Sequence, residues 1–382
     1  MNLIEYLVKI NSLFSTRFVK KMNYDDQKKF LESFTKPIDN IECSYFQYRC
    51  QMKKDEFIIT KVIKNIAALF MIVFYWYKIP KKLKGYNKQN IEKIFIYDDE
   101  DISFIPNSLT NNLKRVNLSD SLLLDKEDRL FIKKIFLKYP LSLLFIFKNM
   151  IKIASYSYNI KIFSPQIVIA SCEYSYTSSI LTLYCENHGI EHVNVMHGEK
   201  FFNIRDAFCK FTKFYVWDEY YIELFGKLNA QSSYFIIEQP PSLKLNLYKY
   251  NVDEKEKCDY KYYLQLETKQ TLIKIKEIVS TLKGRGSIVI LRPHPIYTDM
   301  NLLKEFFDNE ILEDCRSVDI CLSILKSKNV ISRYSTVLSQ AYNVGIPIII
   351  DDYSDYDTFI HSVESDYIMF KKKHTLLSQI IK

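Results

Sequence analysis

Apolar residues recur at three- and four-residue steps over residues 4–18 and, less regularly, over 24–34, which predicts a mainly helical stretch through about residue 90. The period then changes. Residues 91–97 (IEKIFIY) predict a strand that runs into Asp98, Asp99, Glu100 and Asp101. That acidic run reads as a solvated turn, because Ile102 follows without the spaced ligands of an ion site. Pro165 opens PQIVIAS, a β-branched run expected of a central strand buried on both faces. Residues 175–187 predict a helix closed by Gly189, and 190–196 (IEHVNVM) the next strand, so that one βαβ unit is complete. KFYVW at 213–217 adds a strand and 218–228 a helix leading to Pro240 and Pro241.

The double proline, with a polar and charged segment up to Cys258, places a domain boundary near residue 240. Beyond it come a helix over 268–282, a Gly284/Gly286 turn, and SIVILRPHP as strand plus loop. A helix near 301–307, another over 319–326, a strand at 329–332, a helix over 336–343 ended by Gly345, and the strand IPIII follow. Both halves alternate strand and helix, which makes the chain α/β. At 382 residues, two domains are expected: 1–239 with a helical beginning, and 240–382.

Two apolar runs stand apart. Residues 66–77 (IAALFMIVFYWY), between Lys64 and Lys78, are too few to span a bilayer and read as a core helix with solvated lysine ends. LSLLFIF at 141–147 is a second buried or interfacial candidate. Their basic flanks also suit an anionic bilayer surface, so a peripheral membrane contact is the alternative. The beginning of the chain has no continuous apolar core or cleavage site of a signal peptide, which makes the cytoplasm the expected location.

Lys plus Arg number 53 and Asp plus Glu 45, a net +8 that favours anionic partners without choosing among them. The basic residues are scattered and match no nucleic-acid motif, so no nucleic acid is expected. Eight cysteines show no CxxC pair, so no structural metal is expected either. With seven glycines and no GxGxxG, GxxxxGK[ST] or GxSxG, dehydrogenase, P-loop ATPase and serine hydrolase readings lose their main support.

Three loops fall at predicted C-terminal strand ends, where open parallel sheets bind ligands. His197 and Gly198, followed by Glu199, offer a general base or phosphate donor and a close backbone approach, or else His197 is a turn histidine at a helix entry. Arg292, Pro293, His294 and Pro295 form a stiff cationic loop suited to an oxyanion, unless Arg292 is a structural residue salt-bridged to a nearby helix. Ser332, Arg333, Tyr334, Ser335 and Thr336 open a helix whose unpaired amides favour an anion, although Ser335 or Thr336 could serve as a simple N-cap. Glu173, in SCEYS, is a second candidate base or hydroxyl acceptor, or else a dipole-stabilised glutamate at a helix start. His188 and His192 bracket the Gly189 turn and read as structural.

The motifs PQIVIASCEYSYTSSILTLYCENHGIEHVNVMHG, FTKFYVWDEYYIELF, ILRPHP and ISRYSTVLSQAYNVGIPIIID, in this order over roughly 160–355, resemble bacterial surface-polysaccharide glycosyltransferases of GT-B architecture. That group includes capsule and lipopolysaccharide transferases, sialyltransferases and polyol-phosphate polymerases. The resemblance implies two Rossmann-like, doubly wound domains facing each other across a cleft, the first on the acceptor side and the second on the donor side. In the sialyltransferases an HP motif and a downstream Ser or Thr motif contact the CMP portion of the donor. His294, Ser335 and Thr336 inherit that expectation. Those enzymes carry an acidic-acidic-Gly motif where this chain has His197, Gly198 and Glu199; the polyol-phosphate polymerases have a His-Gly motif like this one.

The implied reaction moves a sugar from a nucleotide-activated donor, first a CMP-linked sialic acid-like sugar, to a hydroxyl of an O-antigen or capsule precursor, including a lipid-linked glycan, at the inner membrane face. His197 or Glu173 removes the acceptor proton. Arg292, His294, Ser335 and Thr336 hold the leaving phosphate, supported by Gly198, Glu199, Ser332 and Arg333, with no metal or other cofactor. The alternatives are glycerol or ribitol phosphotransfer from a CDP-polyol, and a non-enzymatic membrane scaffold of polysaccharide assembly.

Overall fold

A computed structural model describes residues 22–55, 58–83, 94–97, 102–111, 113–230, 235–245 and 250–382. The helix expected over 4–18 and the acidic run at 98–101 lie outside the described residues. The chain divides into two compact units: residues 1–197 with 202–239, and residues 198–201 with 240–382.

The first unit is built on a parallel sheet of β1 (Ile94–Tyr97), β2 (Lys114–Asn117), β3 (Ile167–Ala170), β4 (Glu191–Val195), β5 (Lys213–Val216) and β6 (Phe235–Ile237). Their spatial order is β2-β1-β3-β4-β5-β6. Alternation along each strand sends side chains to both faces, and both are covered, as a parallel sheet requires. Ile96 and Val168 join Phe145, Met150, Ile153 and Ile180 on one side, whereas Phe95, Tyr97, Ile169 and Val193 pack with Ile105 and Leu109 on the other.

Local chemistry fixes the helix ends. Asp125 accepts from the amides of Glu127 and Asp128 at 2.9 and 3.0 Å, and Asp128 accepts from that of Asp125 at 2.8 Å, a reciprocal cap on helix Lys126–Lys138. After helix Ser178–Glu186 the chain turns at Gly189 with φ +69°, a left-handed conformation that glycine adopts at little cost.

Helix Ile58–Lys78 differs from the core helix expected of residues 66–77. One side packs: Ala68 is buried, and Ile72, Tyr75 and Trp76 lie against the core. The other side leaves Ile66, Phe70, Phe74 and Tyr77 exposed. The reason is neighbourhood, because helix Leu143–Phe163 covers one flank only. Among the described residues no helix is long and apolar enough to cross a membrane.

The second unit holds a parallel sheet of β7 (Tyr260–Tyr263), β8 (Val289–Arg292), β9 (Val330–Ser332), β10 (Ile348–Ile350) and β11 (Thr375–Leu376), in the order β11-β10-β9-β7-β8. Its core gathers Tyr262, Leu272, Ile275, Leu291, Leu303 and Ile331. Read outward from the first strand, this is the order of the first sheet, minus one edge strand. Both are doubly wound and Rossmann-like, with topological switch points at β1/β3 and β7/β9.

Candidate functional site

At the first switch point, the ends of β1 and β3 and the turn after β3 line a cavity of about 680 Å³. Its polar groups come from Ser171, Ser175, Thr177, Tyr174, Tyr156 and Lys152. His197 stands beyond the end of β4, half-buried, with its ring edge-on to Phe104 and Tyr174 at centroid distances of 6.5 and 6.4 Å. Tyr174 thus belongs both to the cavity wall and to the histidine's surroundings.

Glu173 turns the other way. It has no exposed surface, and its Oε2 accepts from Asn194 Nδ2 at 3.1 Å. The same Asn194 accepts from the Cys172 amide at 3.0 Å, while Gln47 Nε2 donates to the Glu173 carbonyl at 2.6 Å. These bonds roll the turn inward, so the expected cleft-facing carboxylate is corrected to an interior one. It is not a helix-start glutamate either, since the helix begins at Ser178. His192 is fully buried between Thr182 Oγ1, 2.7 Å from Nδ1, and Tyr156 Oη, 3.2 Å from Nε2. Burial lowers its pKa to about 3, so it stays neutral.

In the second unit, Arg292 departs most from expectation. The residue is 6% exposed and both terminal nitrogens of its guanidinium are engaged: Nη1 donates to Glu313 at 2.7 Å, and Nη2 to the carbonyls of Val318 at 2.9 Å and Cys315 at 3.3 Å. Lys261, buried in the middle of β7, reaches the other Glu313 oxygen at 2.6 Å. Burial opposes ionisation of Glu313, but Lys261, Ser323 and Arg292 outweigh it and hold the carboxyl below its usual range. Arg292 is therefore a structural cation rather than the expected phosphate ligand.

Arg333 is likewise committed, to Glu267 at 2.6 Å and Asp355 at 3.0 Å. Burial lifts the Glu267 carboxyl above its ordinary value despite that partner. Ser332 is fully buried and donates to the Tyr263 carbonyl at 3.1 Å. These two residues build the switch point and do not line a ligand surface.

His294 keeps a free role. The amides of Ile296 and Tyr297 donate to its Nδ1 at 3.1 and 3.2 Å, and its ring stacks on Tyr297 at 4.5 Å. A nitrogen that accepts two N–H groups carries no proton, so the neutral ring bears its hydrogen on Nε2. Burial lowers the pKa further. The HP loop thus presents a neutral N–H donor of fixed tautomer.

Ser335 caps helix Thr336–Asn343, its hydroxyl accepting from Val337 N at 3.2 Å, while its own amide donates to Tyr367 Oη at 3.2 Å. The capping role is thereby filled by Ser335 and leaves the half-buried Thr336 at the helix start. The strand β7 lies between β8 and β9, so the two loops are separated by two inter-strand spacings, about 10 Å. Gln265, in the loop after β7, ties them. The His294 amide donates to Thr298 Oγ1 at 2.8 Å, which donates to the Gln265 carbonyl at 2.8 Å, and Gln265 Nε2 donates to the Tyr334 carbonyl.

Gly198 and Glu199 belong with the second unit, where Ser339 Oγ donates to Glu199 and Phe201 stacks on Tyr367 at 5.1 Å. Sequence reasoning missed Gln265 and Thr298. The signal was the tyrosine-rich strand YKYY, whose buried lysine hid it; once it is seen as a strand, QLET falls at its ligand-facing end.

No family model matches the chain, and no curated protein matches its sequence. Solved structures are similar in fold. The Methanocaldococcus jannaschii UDP-GlcNAc 2-epimerase, in complex with UDP-GlcNAc and UDP, is 14% identical with a TM-score of 0.44, covering 76% of this chain and 90% of that one. The wall teichoic acid polymerase TagF is 11% identical with a TM-score of 0.42, covering 85% of this chain and 88% of the other. A putative UDP-N-acetylglucosamine 2-epimerase from Listeria monocytogenes is 10% identical with a TM-score of 0.43, covering 67% and 78%.

Proposed function

We propose that the chain is a metal-independent glycosyltransferase that moves a sugar from a nucleotide-activated donor to a hydroxyl of a bacterial surface-glycan precursor. The observation that carries this reading is the second switch point, where His294 Nε2–H and the Thr336 helix start are fixed on either side of Gln265. Neutral N–H and O–H donors and a helix dipole suit a phosphate leaving group, whose charge grows as the sugar–oxygen bond breaks. In the first unit, His197 accepts the proton of the attacking hydroxyl, and the polar cavity beside Tyr174 receives the acceptor. Glu173, buried, positions the turn that carries Tyr174.

The donor most in keeping with the HP and Ser/Thr motifs is a CMP-linked acidic sugar. The test is thermal stabilisation by a panel of CMP-, UDP-, GDP- and CDP-linked compounds, because a ligand selective for the folded state raises the melting temperature. A nucleotide that stabilises the wild type but not a His294→Ala, Thr336→Ala variant is the expected result. No stabilisation by any compound would reject the reading.

One observation favours a second reading: His197 is followed by Gly198, where the sialyltransferases carry an acidic pair before the glycine. That motif matches transfer of glycerol or ribitol phosphate from a CDP-polyol. A phosphodiester in the product would select this reaction over glycosyl transfer. For the non-enzymatic scaffold, normal polysaccharide from cells carrying the His294→Ala, Thr336→Ala variant is the distinguishing result.

A further inference from the structure

We propose that the first unit docks in-plane on an anionic phospholipid bilayer through helix Ile58–Lys78 and the neighbouring helix Lys126–Lys138. From Val62 to Tyr77 the first of these carries eight large apolar side chains that are 46–79% exposed, at helical spacing along one stripe. Its opposite side is held by the core, and Asn65 Oδ1 accepts from the Leu144 amide at 3.1 Å, so the stripe cannot roll inward. The second helix adds Leu130, Phe136 and Leu137, all exposed, and Leu141 just beyond it is 91% exposed. Contiguous apolar surface of this extent on a folded unit marks a site that something else covers.

Charge identifies the covering partner. The two helices with the turn after the first, residues 58–83 and 126–138, contain ten Lys and Arg against two acidic residues, Glu127 and Asp128, a net +8 that equals the excess of the whole chain. Lys81, Lys82, Lys133 and Lys134 are exposed beside the stripe, and Lys78 Nζ lies 4.9 Å from the Phe74 ring centre. An apolar stripe bordered by exposed lysines, with the carboxylates Asp125 and Glu127 confined to the start of the second helix, fits lipid chains below and anionic headgroups around. A second copy of this chain fits poorly, because a two-fold contact would set one cationic rim against another.

Between the two helices lies a cavity of about 1060 Å³, walled by Ile72, Trp76, Leu130 and Phe136 with Lys81 and Lys82 at its edge. It gives a hydrocarbon chain a way into the unit. Helix Leu143–Phe163 borders it through Ile146 and Lys161, and borders the switch-point cavity through Lys152 and Tyr156. One helix therefore connects the lipid-facing surface with the polar pocket, which goes beyond the transfer reaction by specifying where it occurs.

The test is co-sedimentation of the full chain with vesicles of phosphatidylcholine alone or mixed with phosphatidylglycerol. Binding is expected to be about tenfold or more stronger on the anionic vesicles and to weaken with added salt. The Phe70→Glu, Phe74→Glu variant, altered only at exposed positions, should lose about tenfold or more of that binding while its melting temperature and nucleotide stabilisation stay unchanged. Equal binding to both vesicle types, or unchanged binding by the double variant, would overturn the proposal. So would a wild-type dimer in sedimentation velocity that the same substitutions dissolve. Nucleotide stabilisation is read independently, so failure here leaves the transferase reading standing.

Discussion

The two sheets share a strand order but use their switch points differently. In the first unit the site between β1 and β3 is open, a cavity of about 680 Å³ lined with hydroxyls. In the second unit the loops flanking the β7/β9 switch are joined by Arg333 to Glu267 and by Gln265 to Tyr334. The same topology thus offers a pocket in one case and a braced platform in the other. A pocket suits a substrate recognised by enclosure, whereas a platform suits a group held at fixed donors. The difference is set by the loop residues, not by the fold.

The comparison breaks most sharply at His197. Replacing it with alanine should lower kcat by about 100- to 10,000-fold, the usual range for loss of a general base, with donor-induced thermal stabilisation retained. Glu173→Gln, which preserves the Asn194 contact, should lose far less; equal losses in steady-state assays would return the base role to the glutamate.

The bracing of the second unit is tested next through Glu313. Glu313→Ala strands Lys261 and Arg292 as buried cations and should destabilise the fold by about 3–5 kcal/mol, read as a fall of roughly 10 °C or more in melting temperature. Because the folded-state pKa of Glu313 lies below its ordinary 4.5, its contribution is complete above that pH and is lost as pH falls through the folded value. The wild-type urea midpoint should therefore drop below pH 4.5, and Glu313→Gln should remove that part of the dependence.

A smaller effect is expected at the platform's own donor. His294→Ala removes one hydrogen bond to a charged phosphate, worth about 1.5–3 kcal/mol, so nucleotide affinity by calorimetry should fall tenfold or more. Since the histidine acts as a neutral donor, wild-type affinity should be flat from pH 7 to 9; a decline over that range would mean that its charge matters. Least of all, Ser335→Ala loses a helix cap, about 1 kcal/mol by urea denaturation.

Strands with uninterrupted apolar runs were legible. PQIVIAS contains β3 and IPIII contains β10, because burial on both faces leaves no polar position to confuse the pattern, while KFYVW contains β5 and IEHVNVM contains β4 although Lys213, Glu191, His192 and Asn194 interrupt them. The strands KRVN and YKYY, β2 and β7, were not. In β7 the lysine sits inside the protein only because Glu313, fifty-two residues later, meets it, and no local pattern carries that information. The same carboxylate explains why Arg292 could be seen as a phosphate ligand in the sequence and be a structural ion in the fold. The turn glycines and the Ser335 cap were readable, since their roles are local. Whether helix Ile58–Lys78 is covered on one side or both was a matter of what packs beside it, which periodicity does not encode.

That half-covered helix has a practical corollary. Phe70, Phe74 and Tyr77 form an adhesive strip, so the purified chain should be held back on a hydrophobic-interaction column. Mild surfactant, or charge introduced at those positions, would release it earlier.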